Sequence, residues 1–240
     1  EVAALDPPTV PPPGGAPLPA VAIPAERRKY GRYLAWQRLN VDQVPLPFVN
    51  DMETTYEMTG AKRVAINQLA PGLSKRQATG QICFRPEVPP PPPNADADAL
   101  KKYHENLMEQ PMPTIIFRGK GNISDEERDA YPAGLLVLWQ DKAWVDRPTA
   151  CKWAVEAYRP MVEADEAAGV ADDSTRYLMF QDSLDAQLVT RNPEYINELD
   201  KSKTDDHKVP PGRTDQVQPV DRGMGRQIKI YVGQEEDQWL

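Results

Sequence analysis

Apolar and polar positions alternate along several stretches of the chain. Arg63–Gln68 (RVAINQ) reads as a strand with one buried face, and Arg76–Arg85 (RQATGQICFR) reads as the next. Pro71-Gly72 marks a turn between them. Leu39–Asp42 reads as a strand end, because Pro45 and Pro47 forbid a continued ladder. These three segments are expected to form an antiparallel meander. Thr114–Arg118 (TIIFR) is a short β-branched and aromatic strand stopped by Gly119, and Leu135–Trp139 fits a short buried strand. Arg176–Gln181 (RYLMFQ) is a buried strand that ends at Asp182. A helix is expected next, then a short strand at His207–Val209, a loop forced by Pro210-Pro211-Gly212, and a helix over Asp221–Val232.

The best helix runs from Asp146 to Tyr158. Asp146 suits its N-cap, Pro148 its first turn, and Cys151, Ala154, Val155 and Tyr158 share one face. Glu26–Gln37 reads as a short basic helix.

Composition changes the picture at the edges. There are 26 prolines, roughly double the usual share of about 5 %. Eight precede Ala25, and Pro89–Pro93 are an unbroken run. Such stretches favour extended polyproline conformations, so residues 1–25 read as a disordered leader, and residues 86–99 as a surface insertion in a domain spanning 26–240. Residues 1–24 and the proline run 89–93 are expected to lack helix and strand and to pack little. Polyproline runs also suit aromatic grooves, so a polyproline-binding partner is a further reading.

Cys83 and Cys151 stand far apart with no CxxC pattern, which offers neither a disulfide framework nor a zinc signature and points to a reducing compartment. No apolar run reaches the roughly 18 residues that would span a bilayer, so no membrane role is expected. The net charge of −8 argues against nucleic-acid binding by bulk attraction. The charges are unevenly spread, however. Lys62, Arg63, Lys75, Arg76 and Arg85 fall in a window without acids, and Arg27, Arg28, Lys29, Arg32 and Arg38 form a second basic stretch.

Acids at the ends of elements are where an open α/β sheet gathers ligands. Asp42 follows Leu-Asn-Val, Asp182 follows Leu-Met-Phe-Gln, and Asp221 opens a helix after a turn. Converging carboxylates repel one another unless a cation neutralises them, and hard oxygen donors of this kind suit Mg²⁺ or Mn²⁺. Asp51, Glu53 and Glu57 lie near the first of these, with weaker flanks. His104 and His207 are unpaired, Trp139, Trp144 and Trp153 read as core, and Gly119-Lys120-Gly121 as a turn that offers a lysine to phosphate.

The flanks carry a resemblance. Asn40-Val41-Asp42-Gln43-Val44-Pro45-Leu46-Pro47-Phe48 resembles the Asn-x-Asp-Glu-Thr-Pro-Leu-x-Phe motif of the DDE endonuclease superfamily, which includes the pogo and Tigger transposases and centromere-protein-B-like derivatives. Thr59–Val64, Lys75–Thr79 and Pro113–Lys120 are similar to the segments that follow it in that family. Trp144-Val145-Asp146, Phe180-Gln181-Asp182-Ser183, Val209–Thr214 and Gln218-Pro219-Val220-Asp221 continue the series in the same order.

The resemblance implies an α/β, RNase H-like fold, a mixed central sheet flanked by helices. Asp42 would lie on the first strand, Asp182 at the end of the fourth, and Asp221 at the start of a late helix. It implies a metal-dependent DNA endonuclease or transposase core, with Asp42, Asp182 and Asp221 as catalytic residues holding two Mg²⁺ or Mn²⁺ ions. DNA would be the partner, Lys62, Arg63, Lys75 and Arg76 would be the phosphate contacts, the nucleus the location, and a homodimer the assembly. Departures are Gln43 and Val44 in place of Glu-Thr. Asp185 and Gln187 stand where many members have a basic residue and a histidine. These departures fit a second reading, an inactive derivative that binds DNA or serves as a scaffold.

Overall fold

A computed structural model describes residues 33–46, 78–210 and 223–239. The leader, Arg63–Gln68, most of the basic stretch 26–37, and the turn that leads to Asp221 lie outside the described residues.

Six strands form one mixed sheet. They are β1 (Arg38–Leu46), β2 (Ala78–Phe84), β3 (Thr114–Arg118), β4 (Leu136–Gln140), β5 (Tyr177–Gln181) and β6 (Thr204–Lys208). Their order is β4-β3-β2-β1-β5-β6. Only β2 runs antiparallel to its neighbours, and β1, β5 and β6 are mutually parallel at the other end. This is the mixed sheet expected of an RNase H-like fold.

Period-two alternation assigns the two faces of the sheet. Leu39, Val41, Cys83, Ile116, Leu138, Tyr177 and Met179 point to one side and build the main core. Against them pack α3 (Arg147–Trp153), a π-turn over Ala154–Tyr158, α4 (Arg159–Ala167) and α5 (Pro193–Lys201). Val44, Leu46, Ala78, Ile82, Phe84, Ile115 and Phe117 point to the other side, where Ile228 and Val232 of α6 (Gly225–Trp239) meet them. Two further helices, α1 (Ala97–Asn106) and α2 (Asp125–Asp129), lie in the connections on either side of β3.

Several expectations change. β1 does not stop before Pro45 but continues to Leu46, pairing Pro45 with Thr79. β5 pairs with β1 only as far as Val41, and among the described residues no strand continues on that side, where a missing N–H costs least. β1 joins β2 directly, and β2 has β3 on its other side. The last strand is Thr204–Lys208 rather than His207–Val209, because it follows the register of β5 from Tyr177 to Gln181.

The long helix keeps its expected start. Asp146 caps Thr149 N–H at 3.0 Å, and proline occupies the first turn. Its buried stripe is Ala150, Trp153, Ala154, Ala157, Tyr158, Met161 and Val162, which includes Ala154 and Tyr158 of the expected face, while Cys151 is half-buried and Val155 is 37 % exposed. The phase is set by Trp153, the largest fully buried side chain. The helix then passes Pro160 through the π-turn, since proline cannot donate to the regular ladder.

The proline run 89–93 has no helix or strand, but it packs more than expected. Pro89 is buried, and its carbonyl accepts from the Tyr103 hydroxyl at 2.8 Å. α1 follows at once, capped by Asp96, which accepts from Ala99 N–H at 2.8 Å.

Candidate metal centre

The site is built where β1 and β5 run side by side. Their parallel register pairs Leu39 with Met179, Asn40 with Phe180 and Val41 with Gln181. The next residue on each strand is an aspartate, Asp42 on β1 and Asp182 just past the end of β5. Residues paired in register share a face. Leu39 and Met179 both face the main core, so Asp42 and Asp182 fall on the opposite face, the one α6 covers. Asn40 fastens the strands immediately before the two acids, its Nδ2 donating to the Phe180 carbonyl at 3.2 Å.

Both carboxylates are half-buried and oriented alike. Asp42 Oδ1 accepts from the Gln43 N–H at 2.7 Å, and Asp182 Oδ1 from the Ser183 N–H at 2.6 Å. A backbone donor from the following residue holds each carboxylate head near its own strand.

A hydrogen-bonded chain supports the end of β5. The Tyr195 hydroxyl, buried on α5, donates to Gln181 Oε1 at 2.7 Å, and Gln181 Nε2 donates to Asp206 Oδ1 at 2.5 Å. Asp206 in turn pairs with Lys208 at 3.0 Å. Lys208 also donates to the Gln187 carbonyl at 2.6 Å. Burial pushes the Lys208 ammonium below its ordinary range, while the charges of Asp206 and Asp182 pull it back up. A lysine therefore stands within electrostatic reach of Asp182, and sequence reasoning had not found it. Its only sequence signal is its place at the end of the strand that follows β5 in the sheet.

Asp42 and Asp182 each follow the last residue pair of the β1–β5 register, Val41 and Gln181. Asp182 follows the fifth described strand rather than the fourth, because Leu136–Gln140 adds a strand at the far edge of the sheet. Asp221 lies outside the described residues, as do Lys62, Arg63, Lys75, Arg76, Asp51, Glu53 and Glu57. Asp185 is exposed and Gln187 is buried, both in the short 3₁₀ turn after Asp182. Trp153 is core as expected, and Trp139 is half-buried against Phe117 with ring centroids 5.1 Å apart. Trp144 departs from that expectation at 53 % exposed, on a turn where Ala143 takes φ 54°.

Two carboxylates on adjacent strand ends offer the hard oxygen donors that divalent cations of the Mg²⁺ type take, so the donor set fits such an ion. Among the described residues no group of three or more His, Cys, Asp or Glu side chains is gathered at metal-binding distances.

A mixed sheet with acids at neighbouring parallel strand ends, layered between helices, defines an RNase H-like α/β domain. The family model for the DDE superfamily endonuclease matches residues 108–240, more than half of the chain, and the chain belongs to that family. The match takes in Asp182 and Asp221 and begins after Asp42. No curated protein and no solved structure matches the chain. The family is one of nucleases and transposases that act on DNA and in general use divalent metal ions.

Proposed function

We propose that this chain is the catalytic core of a metal-dependent DNA endonuclease or transposase, working in the nucleus. The observation that supports the reading is the β1–β5 register, which pairs Val41 with Gln181, the residues immediately before Asp42 and Asp182. With Asp221, which lies outside the described residues, they would hold two Mg²⁺ or Mn²⁺ ions. When bound, such ions would supply positive charge to a phosphodiester displacement. Asp42, central in the sheet, would be a ligand together with Asp182 and Asp221. Lys62, Arg63, Lys75 and Arg76 hold the DNA backbone through phosphate contacts that position it without reading sequence.

Lys208 has a supporting role. Its charge acts on Asp182 and its tether runs through Asp206 and Gln181. It steadies the strand end and offsets carboxylate repulsion before metal enters.

The same lysine also gives the second reading its strongest support. A resident cation beside Asp182, together with the exposed Asp185, suits an inactive derivative that binds DNA or acts as a scaffold. Metal-dependent thermal stabilisation separates the two. Saturating Mn²⁺ is expected to raise the melting temperature of the wild type, since ligands of the native state stabilise it by mass action. Asp42→Asn and Asp182→Asn are each expected to lose most of that rise. Equal rises in wild type and both variants would place the metal elsewhere and remove the catalytic reading.

A further inference from the structure

The outer edge of β4 carries a second site, far from the two aspartates. Among the described residues β4 ends the sheet and bonds only to β3. In a parallel ladder a given residue turns both its N–H and its C=O toward the same neighbour. Leu136 N–H donates to the Pro113 carbonyl at 3.0 Å, and the Gln140 carbonyl accepts from Gly119 N–H at 3.1 Å, so Leu136, Leu138 and Gln140 face β3. The backbone groups of Val137 and Trp139 therefore point outward.

Leu135–Trp139 are among the residues that line a cleft of about 710 Å³. That size lies within the roughly 300–1,000 Å³ of typical ligand sites. Lys120, Arg128 and Lys152 line it, against one carboxylate, Glu156. Arg128 pairs with Asp125 at 3.1 Å and Lys152 with Glu156 at 3.9 Å, both through exposed side chains. Such pairs are weak and exchange readily for a new anion. In a chain of net charge −8 this grouping of cations stands out.

The loop that brings Lys120 is shaped for its position. Gly119 and Gly121 take φ of +137° and +68°. A Cβ on Gly121 would lie 2.8 Å from the Trp139 indole. The loop lies directly on that ring, which only glycine permits, and Lys120 is held between the two glycines at the cleft.

We propose that this cleft docks an extended, acidic segment of a partner protein, which adds to β4 as a seventh strand. Outward backbone groups at two-residue spacing match a peptide backbone, and the apolar lining with three cations around it selects alternating apolar and acidic side chains. A nucleic-acid strand would use the cations but has no need of outward amides in strand register. The proposal does not depend on the metal centre.

The test uses the full chain and a pool of octapeptides alternating Asp or Glu with Val, Ile or Thr. Hydrogen exchange is expected to slow at the Val137 and Trp139 amides on binding and to stay unchanged at Leu136 and Leu138, which already bond to β3. Val137→Pro removes one outward N–H and leaves the β3 ladder intact. It is expected to weaken binding, read by fluorescence anisotropy, about five- to tenfold, the worth of roughly one hydrogen bond. Lys120→Gln with Lys152→Gln should weaken it further and flatten its salt dependence. No protection at Val137 and Trp139 in the wild type overturns the proposal whether or not the proline variant folds. It is also overturned if a folded Val137→Pro binds as tightly as wild type, or if single-stranded DNA displaces the peptides and responds to the lysine changes but not to the proline.

Discussion

Arg85 and Asp165 are both fully buried, with side chains at 0 % exposure. Arg85 forms a two-pronged pair with the Asp165 carboxylate at 2.7 and 3.1 Å, donates from Nε to the Glu109 carbonyl at 2.8 Å, and bonds the Met108 carbonyl. Asp165 also accepts from the Tyr177 hydroxyl at 2.8 Å. Every group is satisfied, so the pair fixes how β2, β5 and α4 meet. Arg85→Leu would strand a buried carboxylate and is expected to cost about 3–5 kcal/mol, measured by chemical denaturation. A cost under about 1 kcal/mol would mean that the pair is solvated. Nothing in the sequence marks this pair. Each residue reads as an ordinary surface charge, and 80 positions separate them. Asp42 and Asp182 stand out in the sequence for the opposite reason, since each follows a short run rich in apolar residues. Lys208 was hidden because its neighbourhood depends on the β5–β6 register, which no local pattern encodes.

At the scale of elements, legibility followed local pattern. Thr114–Arg118 and the run ending at Gln181 are short runs rich in apolar residues and fold as read. α1 was missed because Tyr103 is its only buried residue, so ADALKKYHEN shows little apolar stripe. Its cap was visible only in hindsight, as Asp96 in a run of alternating Asp and Ala after the prolines. Asp96→Ala is expected to fray the first turn of α1 and to cost about 1 kcal/mol. Amide exchange across residues 97–100 would report it, and unchanged exchange there would show that the prolines alone hold the helix. α6 presents Ile228 and Val232 to the face that carries Asp42. Ile228 is only half-buried, so Ile228→Ala should cost about 1–2 kcal/mol, below the 2–5 of a fully buried site. A neutral result would detach α6 from that face.

For the whole molecule, buried protons predict the response to alkali. Burial raises the Cys83 thiol far above its ordinary 9.0, and raises the Tyr158, Tyr177 and Tyr195 hydroxyls above 10.0. The native state keeps these protons where the unfolded chain releases them. Their contribution to stability is therefore complete below pH 9 and is lost as pH rises, first through the cysteine and beyond pH 10 through the tyrosines. Each group contributes a slope of up to about 1.4 kcal/mol per pH unit. Urea midpoints measured across that range should fall ever more steeply, and Cys83 should resist alkylation until the protein unfolds. A flat profile would mean that these side chains titrate in the folded state.

The central claim concerns the two strand-end aspartates and their third partner. It is tested most directly by nicking of supercoiled plasmid in Mn²⁺ by the wild type, Asp42→Asn, Asp182→Asn and Asp221→Asn, each checked for an unchanged fold. The wild type should convert supercoiled to open-circular DNA, and each single variant should lose at least about a hundredfold in rate, because a two-metal clamp fails when one ligand set is broken. Cleavage by Asp42→Asn at the wild-type rate would contradict the account and move the chemistry to another site.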